Sequence, residues 1–136
     1  MPISRFVLIV CLAATLLASC TPANLNCKSG EQYAITDSVY FGTAKPVGTV
    51  TPAEWAEFLN STVTPRFPNG LTVSQASGQW RNADGVAVRE ATYILILVHP
   101  DDTFSDTAIQ EIIVRFKQRF DQESVLRVKS QSCAVF

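Results

Sequence analysis

Histidine occurs once in this 136-residue chain, at His99, and methionine once, at Met1. One imidazole cannot build a histidine-rich metal site, and cysteines scattered along the chain offer no ligand spacing beside it, so no metal is expected. Glycine is sparse at six residues, and none of them forms a phosphate-cradling loop. No sign of charge is in excess. Eleven Lys and Arg against twelve Asp and Glu leave a net charge of -1. A phosphate backbone needs a basic field, so nucleic acid is not an expected partner. Internal repeats and low-complexity tracts are lacking too. The composition predicts one folded domain with no disordered tail.

Long apolar runs are also missing. The longest, Phe6 to Ala18, is interrupted only by Thr15. It falls short of the ~20 residues that span a bilayer as a helix. Arg5 precedes it and small residues follow it, which is the layout of a secretory leader. The run ends in Leu17-Ala18-Ser19-Cys20, which resembles the lipobox of bacterial lipoproteins. That resemblance implies cleavage before Cys20 and palmitate-type acyl chains on its sulfur and new N-terminus. Several acyl chains give stable anchoring where one is marginal. Residues 1–19 are thus expected to be a signal peptide, 20–31 a lipid-anchored tether and 32–136 the domain. Thr21 stands where an aspartate would signal retention, so by analogy the outer membrane, facing the periplasm, is the expected address.

Cys11 leaves with such a leader, and Cys20 takes the lipid. Cys27 and Cys133 remain, one near each end of the domain. Disulfides persist outside the cytoplasm, and two cysteines allow one intramolecular pairing. A Cys27–Cys133 bridge is expected.

The alternation in "QYAITDSVYFG" puts Tyr33, Ile35, Val39 and Phe41 on one face of a strand. A helix follows with Thr51 as N-cap, Pro52 at the first position, Glu54 closing a capping box and Val50 stapling onto Trp55. Trp55, Phe58 and Leu59 form its buried stripe. Pro65, Pro68 and Gly70 end it. "LTVSQASGQW" predicts a second strand, Asp84-Gly85 a hairpin turn, and "AVREATYILILVHP" a third strand. Tyr93 to Val98 are apolar on both faces, as in a central, covered strand. The next helix carries Ile109, Ile112, Ile113, Phe116 and Phe120 on its core side. In the last strand, "ESVLRVKSQSC", Arg127 and Lys129 read as edge protection. The order βαββαβ predicts an α+β, ferredoxin-like fold: a four-stranded antiparallel sheet with two helices on one face. In that topology the first and last strands are neighbours, which brings Cys27 towards Cys133.

The sheet's second face is left open. A homodimer stacking its sheets would cover it, and so would a ligand pocket or another envelope protein. His99, at the end of the third strand, is the candidate general base; its alternative role is to cap the strand end. Arg66, Gln79, Trp80, Arg89, Glu90, Gln122 and Glu123 cluster at element ends and are the candidate binding residues. An arginine there could hold a carboxylate bidentately; ion pairing within the fold is the plainer role. A Ser/His/Asp arrangement and a free nucleophilic cysteine are not legible, and no cofactor is expected. The expected function is a lipid-anchored binding or interaction module of the bacterial envelope. The alternative is a small enzyme built from Arg66, Arg89, Glu90, His99 and Glu123.

"YFG" at 40–42, "VTPRFPNGLTV" at 63–73, "GQWR" at 78–81, "VRE" at 88–90 and "QESVL" at 122–126 resemble the bacterial domain-of-unknown-function family 3574 (DUF3574). The resemblance spans roughly residues 33 to 133. It implies secreted or lipoprotein members, and no activity, substrate or cofactor.

Overall fold

The computed structural model describes residues 25–136. The expectations for the leader, Cys11 and Cys20 lie outside the described residues. The elements run β1 (Gln32–Gly42), α1 (Pro52–Phe58), a π-helical turn (Leu59–Val63), β2 (Thr72–Arg81), β3 (Ala87–His99), α2 (Thr103–Phe120) and β4 (Leu126–Ala134). The sheet order is β2-β3-β1-β4, all antiparallel, as expected of the ferredoxin-like topology. Among the described residues no helix is long and apolar enough to cross a membrane.

Strand periodicity decides which side chains meet the helices. On β1 and β3 the odd-numbered positions Ile35, Val39, Phe41, Tyr93, Leu95 and Leu97 are buried. They pack with Trp55, Phe58, Ile109, Ile112, Phe116 and Phe120 from the helices. Ile113, expected in the same stripe, packs only at its margin. Phe41 lies at the centre of the aromatic contacts, 4.6 Å from Phe116 and 5.3 Å from Trp55 between ring centroids. Trp55 in turn stacks on Tyr93 at 4.4 Å. Centroid spacings of this size add specific aromatic attraction to simple burial.

The start of α1 follows its sequence signal. The Thr51 hydroxyl accepts from the Glu54 N–H at 3.2 Å, and the Glu54 carboxylate accepts from the Thr51 N–H at 2.8 Å. That backbone N–H, the Lys45 ammonium and the Thr51 hydroxyl hold the Glu54 carboxyl down to about 2, against the slight opposing pull of burial. The depressed value keeps the box charged below the ordinary glutamate range. Its contribution is fully present above the ordinary value of 4.5 and is lost as pH falls from there through about 2. Thr51→Ala is expected to lower stability by about 1 kcal/mol. The check is a lower urea midpoint at unchanged slope; an unshifted midpoint contradicts it.

Cys27 and Cys133 form the expected disulfide, with Cα atoms 5.5 Å apart. The register explains the meeting: Tyr33 on β1 pairs with Cys133 on β4, and Gln32 with Ala134. Cys27, Glu31 and Cys133 are the one grouping of metal-type ligands among the described residues. Two of its three donors are consumed by the disulfide.

The even-numbered face of the sheet carries no helix. Ile94 and Ile96 are half-buried there, and Val98, Leu126 and Val128 are exposed. Thr36, Ser38, Ser74 and Ser130 are interspersed among them, so the open face is mixed rather than uniformly apolar.

Candidate functional site

Two concavities lie at opposite ends of the sheet. The larger, about 740 Å³, is a cleft where β1 starts and β3 ends. The loop from Arg66 to Leu71 forms one wall; Phe104, at the start of α2, and Phe136, at the C-terminus, flank the others. The loop is brought there by the π-helical turn and Pro65, after which Phe67 turns inward and is buried. Ile96 and Val98 lie on the side of the open sheet face. The cleft volume falls in the range of small-molecule sites, which are mainly apolar with a few polar groups.

His99 lines this cleft, but its ring is 5% exposed and tied on both sides. Nδ1 lies 2.7 Å from the Pro100 carbonyl oxygen, and Nε2 lies 2.8 Å from Asp37 Oδ2. Asp37 is fully buried beneath the helices, in the middle of β1. Arg127 grips it bidentately, Nε to Oδ1 at 2.7 Å and Nη2 to Oδ2 at 2.9 Å. The same guanidinium reaches Asp106 on α2 at 2.8 Å. Burial pushes the Asp37 carboxyl upward, but the hydrogen bonds from Arg127 and His99, with their charges, hold it below its ordinary value. Arg127 is raised, chiefly by its hydrogen bond to Asp37 and against the pull of burial. Buried charges persist when paired and hydrogen-bonded in this way.

One sequence expectation is corrected here. Arg127 is not an outward-facing edge charge. β4 is an edge strand, but residue 127 sits on the helix-covered side, opposite Val39, and its charge turns inward. Asp37 was passed over, although it shares the inward parity of Ile35 and Val39. A carboxylate at an inward position demands a partner, and that was the missed signal.

Arg66 also lines the cleft, and its guanidinium is already engaged. Nε and Nη2 donate to Glu111 Oε2 at 3.2 and 2.9 Å, and Nη1 donates to the Thr62 carbonyl at 2.8 Å. It stiffens the loop rather than presenting a free fork.

The smaller concavity, about 180 Å³, is a cup on the open face at the far end of the sheet. Gln79, Trp80, Glu90 and Gln122 border it, so four of the seven candidate binding residues meet in space. Glu90 Oε2 accepts from the Ala44 N–H at 2.6 Å, while Gln122 Nε2 donates to the Ala44 carbonyl. The two side chains thus clamp one residue, Ala44, just past the end of β1. Two glycines make the room. A Cβ on Gly42 would lie 2.3 Å from Glu90 Oε1, and one on Gly78 would lie 2.4 Å from Thr92 Oγ1. Trp80 stands half-buried on the open face. Its indole N–H is buried without an acceptor. An unmatched donor of this kind costs about 1–3 kcal/mol. Arg89 lies outside the cup and donates to Gln79 Oε1 at 2.9 Å. Glu123 is exposed and lines neither concavity. His99, Arg89 and Glu123 therefore share no cavity.

The family model described as a protein of unknown function (DUF3574) matches residues 36–136. The chain belongs to this family. No curated protein matches the chain. Among solved structures, a phage SAM lyase in complex with S-methyl-5'-thioadenosine superposes with a TM-score of 0.54. It is 14% identical, and the match covers 83% of this chain and 95% of that one. The apo state of a phage SAM lyase gives a TM-score of 0.50 at 15% identity, covering 82% and 95%. At these identities the likeness is one of fold. Within this DUF3574 member, the stretches that carry the family resemblance divide between the two concavities. Residues 66–72 of "VTPRFPNGLTV" wall the cleft, whereas Tyr40, Gly42, Gly78, Trp80, Glu90 and Gln122 border the cup.

Proposed function

We propose that this DUF3574 protein is a lipid-anchored binding module of the bacterial envelope, with a small, mainly apolar ligand held in the cleft beside His99. The observation that carries this reading is the cleft itself. It has about 740 Å³ of space, walls that include Phe67, Leu71, Ile96, Val98 and Phe104, and a rigid charged support behind them. The Asp37–His99–Arg127 network fixes the end of β3, and Arg66–Glu111 fixes the loop. A preformed apolar hollow of that size holds a small molecule without costly reordering. The enzyme reading has less support, because both His99 nitrogens are committed and Arg66 is occupied.

The test uses the full chain taken from its host's membranes in lipid discs. Native mass spectrometry is expected to find a co-purified small molecule. Val98→Trp adds bulk at a side chain that lines the cleft and is 41% exposed, so the fold tolerates it. That variant is expected to lose the molecule while keeping the melting temperature of ligand-stripped wild type. Equal occupancy in Val98→Trp removes the cleft as the site. A wild-type protein that carries nothing, and takes up no apolar dye, removes the proposal.

A further inference from the structure

The cup at the other end of the sheet has a different chemistry. Glu90 brings a half-buried carboxylate onto the open face, and one oxygen is spent on the Ala44 N–H. Oε1 accepts no hydrogen bond from the described residues, and no lysine or arginine among them comes within ion-pair distance of it. The nearby Arg89 is turned to Gln79 instead. Tyr40 and Trp80 contribute aromatic side chains to the same cup. Neither takes part in a cation–π contact with a protein cation among the described residues. Gly42 and Gly78 keep the floor clear: a methyl group at either position would press into the carboxylate or into Thr92.

A half-desolvated negative charge with a free oxygen and aromatic neighbours is the setting in which an organic cation binds. The carboxylate supplies the charge, and ring faces attract ammonium groups. We propose that the cup binds a small organic ammonium ion, with Glu90 as counter-ion and Tyr40 and Trp80 as walls. This site is separate from the cleft, and it stands whether or not the cleft holds an apolar ligand.

The experiment titrates the full chain with choline and with 3,3-dimethylbutan-1-ol, its neutral isostere, by calorimetry, following the Trp80 indole N–H by NMR. Choline is expected to bind and to shift that resonance; the neutral isostere is expected to bind at least about tenfold more weakly. Glu90→Gln keeps an acceptor for Ala44 and removes the charge. It is expected to lower choline affinity about tenfold without changing the response to the alcohol. Should Glu90→Gln lose its fold, Leu126→Lys serves in its place. Residue 126 borders the cup with a 60% exposed side chain, and a cation there should repel choline. Equal affinity for choline and its isostere overturns the proposal. So does unchanged choline binding in the folded variant, or no choline binding to wild type at tens of millimolar.

Discussion

Asp37→Ala is expected to cost about 3–5 kcal/mol of stability. The carboxylate sits at zero exposure with three hydrogen bonds from two partners. Removing it leaves the Arg127 guanidinium and the His99 ring in a low-dielectric site without their acceptor, and that desolvation is the larger part of the loss. The comparison that isolates the cause is Asp37→Leu with His99→Leu and Arg127→Met. Replacing all three charged or polar groups by apolar ones leaves no buried charge unpaired, and Asp106, which loses Arg127, is exposed to solvent, so the triple variant should unfold at a higher urea concentration than the single alanine variant. The reverse order would mean that the network stabilises by attraction beyond its own desolvation. The pH dependence has a definite sign. The folded pKa of Asp37 is depressed, so its contribution is fully present above its ordinary value of 3.8 and is lost as pH falls through the lower folded value. Wild-type stability should therefore drop in acid below about 3.8, and the Asp37→Ala curve should be flatter across the same window. Parallel curves would show that another carboxylate controls the acid limb.

Opening the Cys27–Cys133 bridge should have an effect of similar size through the opposite state. The bridge closes a separation of 106 residues. A loop of that length removes about 4.7 kcal/mol worth of chain entropy from the unfolded ensemble. In the folded protein the two strands are already paired beside the bridge, Tyr33 to Cys133 and Gln32 to Ala134. Little native structure depends on the sulfur bond itself. Cys27→Ser with Cys133→Ser should thus keep the wild-type circular dichroism spectrum and unfold at a markedly lower urea midpoint. Wild type treated with reductant should match it. Coincident midpoints for oxidised and reduced protein would show that the loop entropy is offset, most directly by residual structure in the unfolded chain.

The architecture was legible because its signals are local. Alternation gave β1, Thr51-Pro52 with Glu54 gave the start of α1, and Asp84-Gly85 gave the hairpin between β2 and β3. The π-helical turn at Leu59–Val63 has no such signal; the sequence predicts only that the helix breaks near Pro65. The candidate residues were partly legible as well, since polar side chains at strand ends do gather at the cup. Their partners were not. Glu90 and Gln122 both grip Ala44, which lies 46 and 78 positions away. No periodicity encodes contacts of that range. Arg127 was misassigned for a related reason. Its role depends on Asp37, 90 positions earlier, and only the pairing of β4 with β1 brings them together.

The covalent link between the first and last strands also decides what a protease can accomplish. The β2–β3 turn around Asp84 to Val86 is the exposed tip of a long hairpin. A cut there, or anywhere else inside the closed ring, sheds no fragment. Both pieces run as one species until a thiol is added, so nicked protein would go unnoticed on a non-reducing gel.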